Sequence, residues 1–224
     1  MKAASLRARI RAEMADEIKA MARRQLATQG ADLSLRAVAR DLGMASSAVY
    51  RYFASRDELL TALIIDAYDA LGAAAEAVPH EGSFPEQWLA VCHAVREWAL
   101  ADPHQWALIY GSPVPGYRAP TDTVASATRV IMALARVVRD AAAAGKVADG
   151  EPVDGPLAQD FLGLAGYVRP GVAPQVAGRT MAGWVQLCGA VNAELFGQLT
   201  NVVEARREFF GFQMRAASDW IGLR

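Results

Sequence analysis

The sequence is poor in cysteine and histidine, with two cysteines and three histidines in 224 residues. Cys92 and Cys188 lie far apart and form no CxxC pair, so the sequence supports neither a disulfide framework nor a structural zinc site. We expect both to be reduced core residues. His80, His93 and His104 show no metal-ligand spacing. We therefore expect no metal and no other cofactor.

Long apolar runs are also missing. The longest stretches without a formal charge, residues 103–117 and 180–193, are shorter than the ~18 to 20 apolar residues that cross a bilayer. The first twenty residues carry a charge every few positions and lack the apolar centre of a secretion signal. We expect no transmembrane helix, no membrane partner and a cytoplasmic protein.

The motifs HExxH, GxSxG, GxxxxGK[ST] and GxGxxG are absent, and no cysteine has an identifiable catalytic partner. We therefore assign no catalytic residue and do not expect an enzyme. An all-helical enzyme or a carrier of a hydrophobic small molecule stays open as the alternative, and turnover of a bound hydrophobic compound would favour it.

Glycine and proline, 28 residues together, concentrate in a few short segments, whereas alanine takes 46 positions. An apolar content of 53% with 21% charged residues is typical of a globular chain, and the alanine content favours helix. Residues 111–120 and 145–156 are rich in proline and glycine and are predicted to be loops. No stretch alternates polar and β-branched residues, so we predict an all-α fold of about ten helices.

The charges are unevenly distributed along the chain. Residues 1–60 carry 11 basic and 7 acidic side chains, whereas the remainder carries 12 and 17. A basic segment joined to a larger acidic body is typical of a nucleic-acid-binding domain tethered to another function. A chance imbalance of this size stays open as the alternative.

Periodicity predicts three helices in the first 54 residues. Apolar residues recur at three- and four-residue intervals from residue 6 to residue 26, and Gly30 is a natural end for this helix. A second helix begins after Ser34, whose hydroxyl can cap it, and ends at Gly43. The third, over residues 46–53, follows after about three residues. Two short helices joined by a tight glycine turn indicate a helix-turn-helix.

A fourth helix is predicted to begin with a capping box between Ser55 and Glu58 and to run to about Val78. The rest of the chain is predicted to be helical near residues 84–101, 103–111, 121–144, 156–169, 174–201 and 204–222.

The third helix carries the candidate DNA-binding residues. Val49 and Phe53 fall on one side of it and are expected to pack, which leaves the opposite side for contact with DNA. An α-helix fits the major groove, where small polar side chains reach base edges and methyl groups meet thymine. The candidate base-reading residues are Ala45, Ser46, Ser47 and Ala48.

Tyr50, Arg51 and Tyr52 are expected to contact phosphates, which fix register without specifying sequence. Arg56, in the first turn of the fourth helix, and Arg36, in the second helix, are placed to hold further phosphates. The alternative for this group is a small aromatic core beside a solvated arginine face.

The segments SLRAVARDLG (34–43) and AVYRYFASRDELL (48–60) resemble the TetR family of bacterial transcriptional repressors, over about residues 5–65. Ala45 departs from the family pattern, which has Ser or Thr at that position, and Ala48, where the family has Thr or a small residue, lacks the hydroxyl of Thr. The departures suggest methyl contacts, or a helix cap moved to Ser46.

The resemblance implies a helix-turn-helix DNA-binding domain over residues 1–54 and a larger helical ligand-binding and dimerisation domain over residues 55–224. It implies a homodimeric, ligand-responsive regulator, most often a repressor, that binds a palindromic operator in double-stranded DNA and is released by a small, largely apolar effector. A helix-turn-helix protein that answers to protein partners or to DNA alone is a further alternative.

The residues themselves give independent support for dimerisation. The predicted helix 174–201 carries one apolar stripe and a second stripe of small residues, Gly189, Ala193 and Gly197. A helix with two apolar faces must be covered on both. Together with Phe161, Leu164 and Val168 of the preceding helix, these residues predict a dimeric four-helix interface. A central helix within one chain is the alternative.

Bulky and amphipathic side chains concentrate between residues 84 and 111. Aromatic walls with a few polar tips suit an apolar ligand, although each such residue alone is more often part of a core. The candidate ligand-binding residues are Trp88, Cys92, His93, Trp106 and Tyr110.

Overall fold

The computed structural model describes residues 2–29, 33–168 and 171–224. In these ranges the chain forms eleven α-helices: α1 (Lys2–Gln29), α2 (Leu35–Asp41), α3 (Ser46–Val49), α4 (Arg56–Glu76), α5 (Phe84–Ala101), α6 (Pro103–Tyr110), α7 (Val124–Ala127), α8 (Arg129–Ala143), α9 (Pro156–Val168), α10 (Pro174–Leu195) and α11 (Arg206–Ile221). The all-α prediction is confirmed. Gly30, the predicted end of the first helix, lies outside the described ranges.

Extended pairing is almost absent from the described ranges, since the single β-bridge joins Val147 to Leu223. A short 3-10 turn, Thr121–Thr123, precedes α7. No helix in these ranges is both long enough and apolar enough to cross a membrane.

The chain divides into two compact units. The first comprises Met1–Ala67 and His104–Val124, and the second comprises Tyr68–Pro103 and Ala125–Arg224. Helix α4 contributes its first twelve residues to the first unit and the rest to the second. The predicted boundary between a DNA-binding domain and a ligand-binding domain, at residues 54 and 55, stays a prediction.

The core of the first unit is built from the apolar faces of its short helices. Ile18 and Ala22 of α1, one helical turn apart, are fully buried, as are Val38 of α2 and Val49 of α3. Leu63 of α4 closes the core. The three N-terminal helices and the start of α4 therefore form one packed head.

A tight turn joins α2 to α3. Gly43 has a φ of +67°, its N–H donates to the carbonyl of Arg40, and the N–H of Met44 donates to the carbonyl of Ala39. This pair of bonds is the Schellman arrangement, which a residue with a side chain adopts only with strain. The turn fixes where α3 begins.

The third helix is shorter than predicted, because it ends at Val49 rather than at Phe53. The N–H groups of Arg51 and Tyr52 donate to carbonyls only three residues earlier, which tightens the chain into turns. Phe53 is buried, so the turn brings this ring back into the core before α4 begins.

The second unit packs α5, α8, α10 and α11 around a shared core. On α8, Val130, Leu134 and Val138 recur at four-residue intervals and are buried. Gly183 allows α10 to pack closely against α5, because an added Cβ at Gly183 would lie 3.0 Å from the ring of the fully buried Trp88 of α5.

Two predicted helices are interrupted. The segment 121–144 divides at Thr128, the residue before α8. The Thr128 hydroxyl donates to the carbonyl of Ala125. The predicted helix 174–201 stops at Leu195, since Gly197 adopts a left-handed φ of +78° that ends α10.

Candidate nucleic-acid interface

The exposed side of α3 carries the candidate base-reading residues. Ala45, Ser46 and Ser47 are exposed and Ala48 is half-buried, whereas Val49 on the opposite side is fully buried. Ala45 is the N-cap residue, in extended conformation and without a side-chain cap. The cap therefore does not move to Ser46, and both serine side chains lie in the exposed first turn.

A groove of about 500 Å³ runs beside this edge. Arg36 from α2, Tyr50 from the turn after α3, and Arg56 from α4 meet in it, and Tyr50 is 45% exposed. The groove also brings in residues that the sequence analysis did not assign: Leu33, Ser34, Leu35, Ala54 and Ser55. Three of the five predicted phosphate contacts thus share one surface, which joins guanidinium, phenol and hydroxyl donors.

Arg56 also shapes this groove. Its Nε donates to the carbonyl of Leu33 at 3.1 Å, and its Nη1 lies 3.6 Å from Asp57 Oδ1. The guanidinium therefore ties the start of α4 to the segment before α2 while its side chain stays one-third exposed. Sequence periodicity gives no sign of this bond, which links residues 23 positions apart.

Two capping predictions have different outcomes. Ser55 Oγ accepts from the Glu58 N–H at 3.1 Å, which confirms the hydroxyl half of the predicted capping box, while the Glu58 carboxylate accepts from the N–H of Ala54 at 2.6 Å. The prediction that the Ser34 hydroxyl caps α2 is wrong, because its side chain makes no cap hydrogen bond and only its carbonyl joins the helix.

The turn after α3 contacts the N-terminal half of α1. Arg11 Nη2 donates to the carbonyl of Arg51 at 3.0 Å, and the Arg11 guanidinium lies 5.2 Å from the centroid of the Tyr52 ring. The side chain of Arg51 stays exposed. Arg11 was missed by the sequence analysis, although the run of arginines in α1 was a visible signal.

Charged pairs fasten α1 to its neighbours. The Asp66 carboxylate of α4 accepts from Lys19 Nζ and Arg23 Nη2, at 2.9 and 2.5 Å. Burial opposes the charge of Lys19, but its bonds to Asp66 and Asp16 raise the pKa of this amine overall. These pairs fix the helix that supports the α3 edge.

The candidate ligand-binding residues of the second unit lie on α5. Trp88 and Cys92 are fully buried, and burial raises the pKa of the Cys92 thiol far above its usual range. Trp88 Nε1 and His93 Nδ1 are buried without a hydrogen-bond partner among the described residues. The other two candidates, Trp106 and Tyr110, belong to the first unit, with ring centroids 4.5 Å apart.

His93 lies in a polar cluster of the second unit. Its ring centroid is 5.2 Å from that of Phe210, and the Arg96 guanidinium lies 5.6 Å from the same ring. Burial, followed by the positive charges of Arg207 and Arg96, lowers the pKa of His93. This histidine is therefore held uncharged at neutral pH.

The candidate dimer residues have unequal surroundings. Phe161 packs within the chain, because an added Cβ on Gly178 of α10 would overlap its ring. Gly189 on α10 is exposed, with open space where a Cβ would stand, and Gly197 lies beyond the end of that helix. The half-buried members are Leu164, Val168 and Ala193.

Large apolar side chains that the sequence analysis missed are exposed on α10 and α11. Val185 on α10 is exposed, and on α11 Phe212 and Trp220 are 64% and 55% exposed. Trp220 also lines an open groove of about 620 Å³ with Leu157 and Met181. The spacing of Phe212 and Trp220, two helical turns apart, was the sequence signal for this face.

Comparisons with known proteins match both units. Residues 18–63 match the family of bacterial regulatory proteins named tetR, and residues 88–217 match the tetracyclin repressor-like C-terminal domain. An HTH-type transcriptional regulator of Mycobacterium tuberculosis strain H37Rv is 42% identical over 195 residues, which cover 84% of this chain and 83% of the relative.

Solved structures show the same fold. The crystal structure of SCO4313, described as a regulatory protein, has 36% identity and a TM-score of 0.77, covering 93% of this chain and 97% of that one. A regulatory protein of the tetR family from Rhodococcus RHA1 shares the fold at 16% identity and a TM-score of 0.64, covering 94% and 97%. The chain belongs to the TetR family of bacterial transcriptional regulators.

Proposed function

We propose that this regulator is a ligand-responsive repressor that binds a palindromic operator as a dimer and leaves it when a small, largely apolar effector binds. The observation that carries the proposal is the groove beside α3, where Arg36, Tyr50 and Arg56 line one surface next to the exposed Ser46 and Ser47. Cationic and hydroxyl donors beside a small, exposed helix edge suit phosphates flanking a readable base edge.

In this proposal α3 enters the major groove. Ala45, Ser46, Ser47 and Ala48 meet the base edges, the hydroxyls by hydrogen bonds and the methyl groups by contact with thymine. Phosphates are held by Arg36, Tyr50, Arg51, Tyr52 and Arg56.

The dimer is proposed to form through the apolar surface of α10 and α11. Val185, Phe212 and Trp220 are large apolar side chains exposed on these two helices, and the exposed Gly189 allows close approach of a second copy. The candidate residues Phe161, Leu164, Val168, Ala193 and Gly197 are proposed to flank this contact.

Sedimentation tests the dimer. Phe212→Glu is expected to weaken self-association because it places a charge in the proposed interface. Met132→Glu, which changes an exposed apolar residue of α8, is the matched control. Equal association constants for the two variants would contradict this interface.

The effector is proposed to contact α5. Trp88 Nε1 and His93 Nδ1 are buried polar atoms without partners among the described residues, and such atoms cost free energy until a partner reaches them. The uncharged His93 suits an apolar ligand with a polar tip. Cys92 completes the proposed contacts on α5, and Trp106 and Tyr110 stay candidate ligand residues of the first unit.

Helix α4 is proposed to transmit the effector signal. Its first turn carries Arg56, and its last carries Glu76, whose carboxylate accepts two bonds from Arg129 of α8. A displacement of α4 would misplace each DNA-binding head. Because two heads must sit about 34 to 36 Å apart, or at a multiple of that distance, a small rotation prevents simultaneous groove entry.

Binding to duplex DNA tests the proposal. If three or four phosphates are neutralised by the proposed phosphate-binding residues in each head, and so six to eight in a dimer, these contacts alone are expected to give a slope of about −5 to −7 in a plot of log affinity against log salt concentration. A compound that raises the melting temperature by binding the protein is then added at saturation, and about 5- to 150-fold weaker operator binding is expected. An unchanged dissociation constant for every such compound would contradict effector release.

A further inference from the structure

The positive charge of the DNA-binding head is concentrated in one segment. Residues 1–12 contain Lys2, Arg7, Arg9 and Arg11 and no acidic residue, whereas residues 13–60 contain seven basic and seven acidic side chains. The net positive charge of the first sixty residues therefore comes entirely from the N-terminal half of α1. None of these four residues belongs to the interface proposed above.

The described side chains of this segment take no part in the core. Those of residues 6–13 are all exposed, and Ile18 is the first fully buried residue after them. Leu6 and Ile10, one turn apart, are 48% and 51% exposed. Residues 6–12 therefore lie outside the apolar core, and their exposed basic side chains are available to bind a partner.

Arg11 places the segment beside the proposed DNA contacts. Its Nη2 bonds to the carbonyl of Arg51, and its guanidinium lies over the Tyr52 ring. At a rise of about 1.5 Å per residue, Arg9 lies about 3 Å and Arg7 about 6 Å further along the helix axis. Arg7, four residues before Arg11, lies on the same side of α1 as Arg11 and therefore close to the turn that is proposed to meet phosphates. Arg9, two residues before Arg11, lies about 200° around the helix axis, on the opposite side of α1.

We propose that the exposed residues 6–12 of α1 form a second DNA-contact surface, in which Arg7, on the side of the turn after α3, and Arg9, on the opposite side of the helix, bind backbone phosphates that flank the bases read by α3. Arg11 is a positioning residue, because its guanidinium is engaged with the turn after α3. This inference rests on the proposed DNA-binding function. Duplex DNA is the occupant favoured by charge, since each phosphate repeats the negative charge that an arginine fork recognises.

The pair formed by Arg9 with Glu13 does not oppose this role. The two side chains are 3.4 Å apart and 71% and 64% exposed, and an exposed pair of this kind stabilises a helix by only about 0.5 kcal/mol. A phosphate can therefore replace Glu13 as the partner of Arg9 at little cost.

Removing two charges at a time tests the proposal with the full-length protein. The Arg7→Ala/Arg9→Ala variant changes exposed positions to the residue with the highest helix propensity, so α1 is retained. The matched control, Arg139→Ala/Lys146→Ala, removes the same charge from the second unit. Fluorescence anisotropy then measures affinity for an operator duplex, chosen as the best binder of the wild-type protein, across a salt series.

The expected result is affinity at least ~10-fold weaker at ~0.1 M salt and a slope that is smaller in magnitude by about 3 to 4 for the dimer, with unchanged preference among bases. The control is expected to match wild type. Hydroxyl-radical footprinting is expected to lose backbone protection next to the selected bases only in the Arg7→Ala/Arg9→Ala variant.

Three outcomes overturn the inference. If wild type binds duplex DNA and the α1 variant keeps the wild-type slope and footprint, Arg7 and Arg9 make no DNA contact and the proposed function stands. If the control loses as much affinity as the α1 variant, the loss of affinity comes from the change in net charge and not from contacts of Arg7 and Arg9. If wild type binds no duplex, the proposed function fails and the inference fails with it.

Discussion

Arg96 of α5 and Glu194 of α10 form a two-pronged ion pair inside the second unit. Arg96 Nε lies 2.7 Å from Glu194 Oε2, and Nη2 lies 2.5 Å from Oε1, with the side chains only 7% and 8% exposed. Phe210 packs against the guanidinium. The pair thus joins two core helices where neither charge can turn to solvent.

Removing one partner of this pair is expected to destabilise the protein. Glu194→Gln leaves the Arg96 charge buried without its counter-ion, which we expect to lower the free energy of unfolding by about 3 to 5 kcal/mol in chemical denaturation. Glu97→Gln, which breaks the exposed pair with Arg207, is the matched control and should change it by about 1 kcal/mol or less. Equal effects of the two variants would contradict the burial argument.

Gly72 is expected to tolerate no side chain. An added Cβ would lie 2.6 Å from the Cβ of Arg129, which bonds to Asp69 and Glu76. Gly72→Ala must displace this arginine, so we expect a loss of about 1 to 3 kcal/mol in unfolding free energy. Gly163→Ala in α9 meets open space and should instead gain about 0.5 to 1 kcal/mol from helix propensity. An increase in unfolding free energy in both variants would contradict the expected clash between the added Cβ and Arg129.

Stability is expected to fall in mild acid because of His93. Its pKa in the folded protein lies below the ordinary value of 6.5, owing to burial and to Arg207 and Arg96. The unfolded chain therefore binds the proton more readily, and the contribution of His93, present above about pH 6.5, is lost as the pH falls through its folded pKa. Urea unfolding between pH 5 and 7.5 measures this slope. His93→Gln should reduce it and His80→Gln should not, whereas an equal slope in all three proteins would assign it elsewhere.

Base reading and phosphate binding are expected to separate in a pair of variants. Ser47→Ala removes an exposed hydroxyl of α3 and should change the order of preference among operator variants. Arg36→Ala should weaken all duplexes by a similar factor and reduce the magnitude of the salt slope by about 2 for the dimer. Anisotropy titrations on single-base operator variants measure both effects. A uniform loss from Ser47→Ala would remove this residue from the reading edge.

The sequence predicted the helical content and the positions of most helices because apolar spacing and glycine ends are local signals. Gly43 ends α2 as predicted, and Val49 and Phe53 are buried as predicted. Helix ends that depend on competing local bonds were predicted less well. After Val49 the N–H groups of Arg51 and Tyr52 bond to carbonyls three residues earlier, and at Thr128 the side-chain hydroxyl bonds to the carbonyl of Ala125.

The site was only partly predictable for a different reason. Contacts such as Arg11 with Arg51 or Arg56 with Leu33 join residues 40 and 23 positions apart, and no helical period encodes them. The two segments that resemble known regulators lie within residues 34–60, outside α1, and the sequence therefore indicates the charge of the α1 arginines but not their contacts. The exposed apolar side chains of α11 were visible in the sequence, but their exposure depends on packing.

Selection of bound sequences from a random pool of DNA duplexes tests the central claim most directly, because it reports symmetry, spacing and base preference together. The account predicts enrichment of two inverted half-sites whose centres lie about 34 to 36 Å apart or a multiple of that distance. Enrichment of a single asymmetric site, or of no sequence at all in low salt, would contradict it.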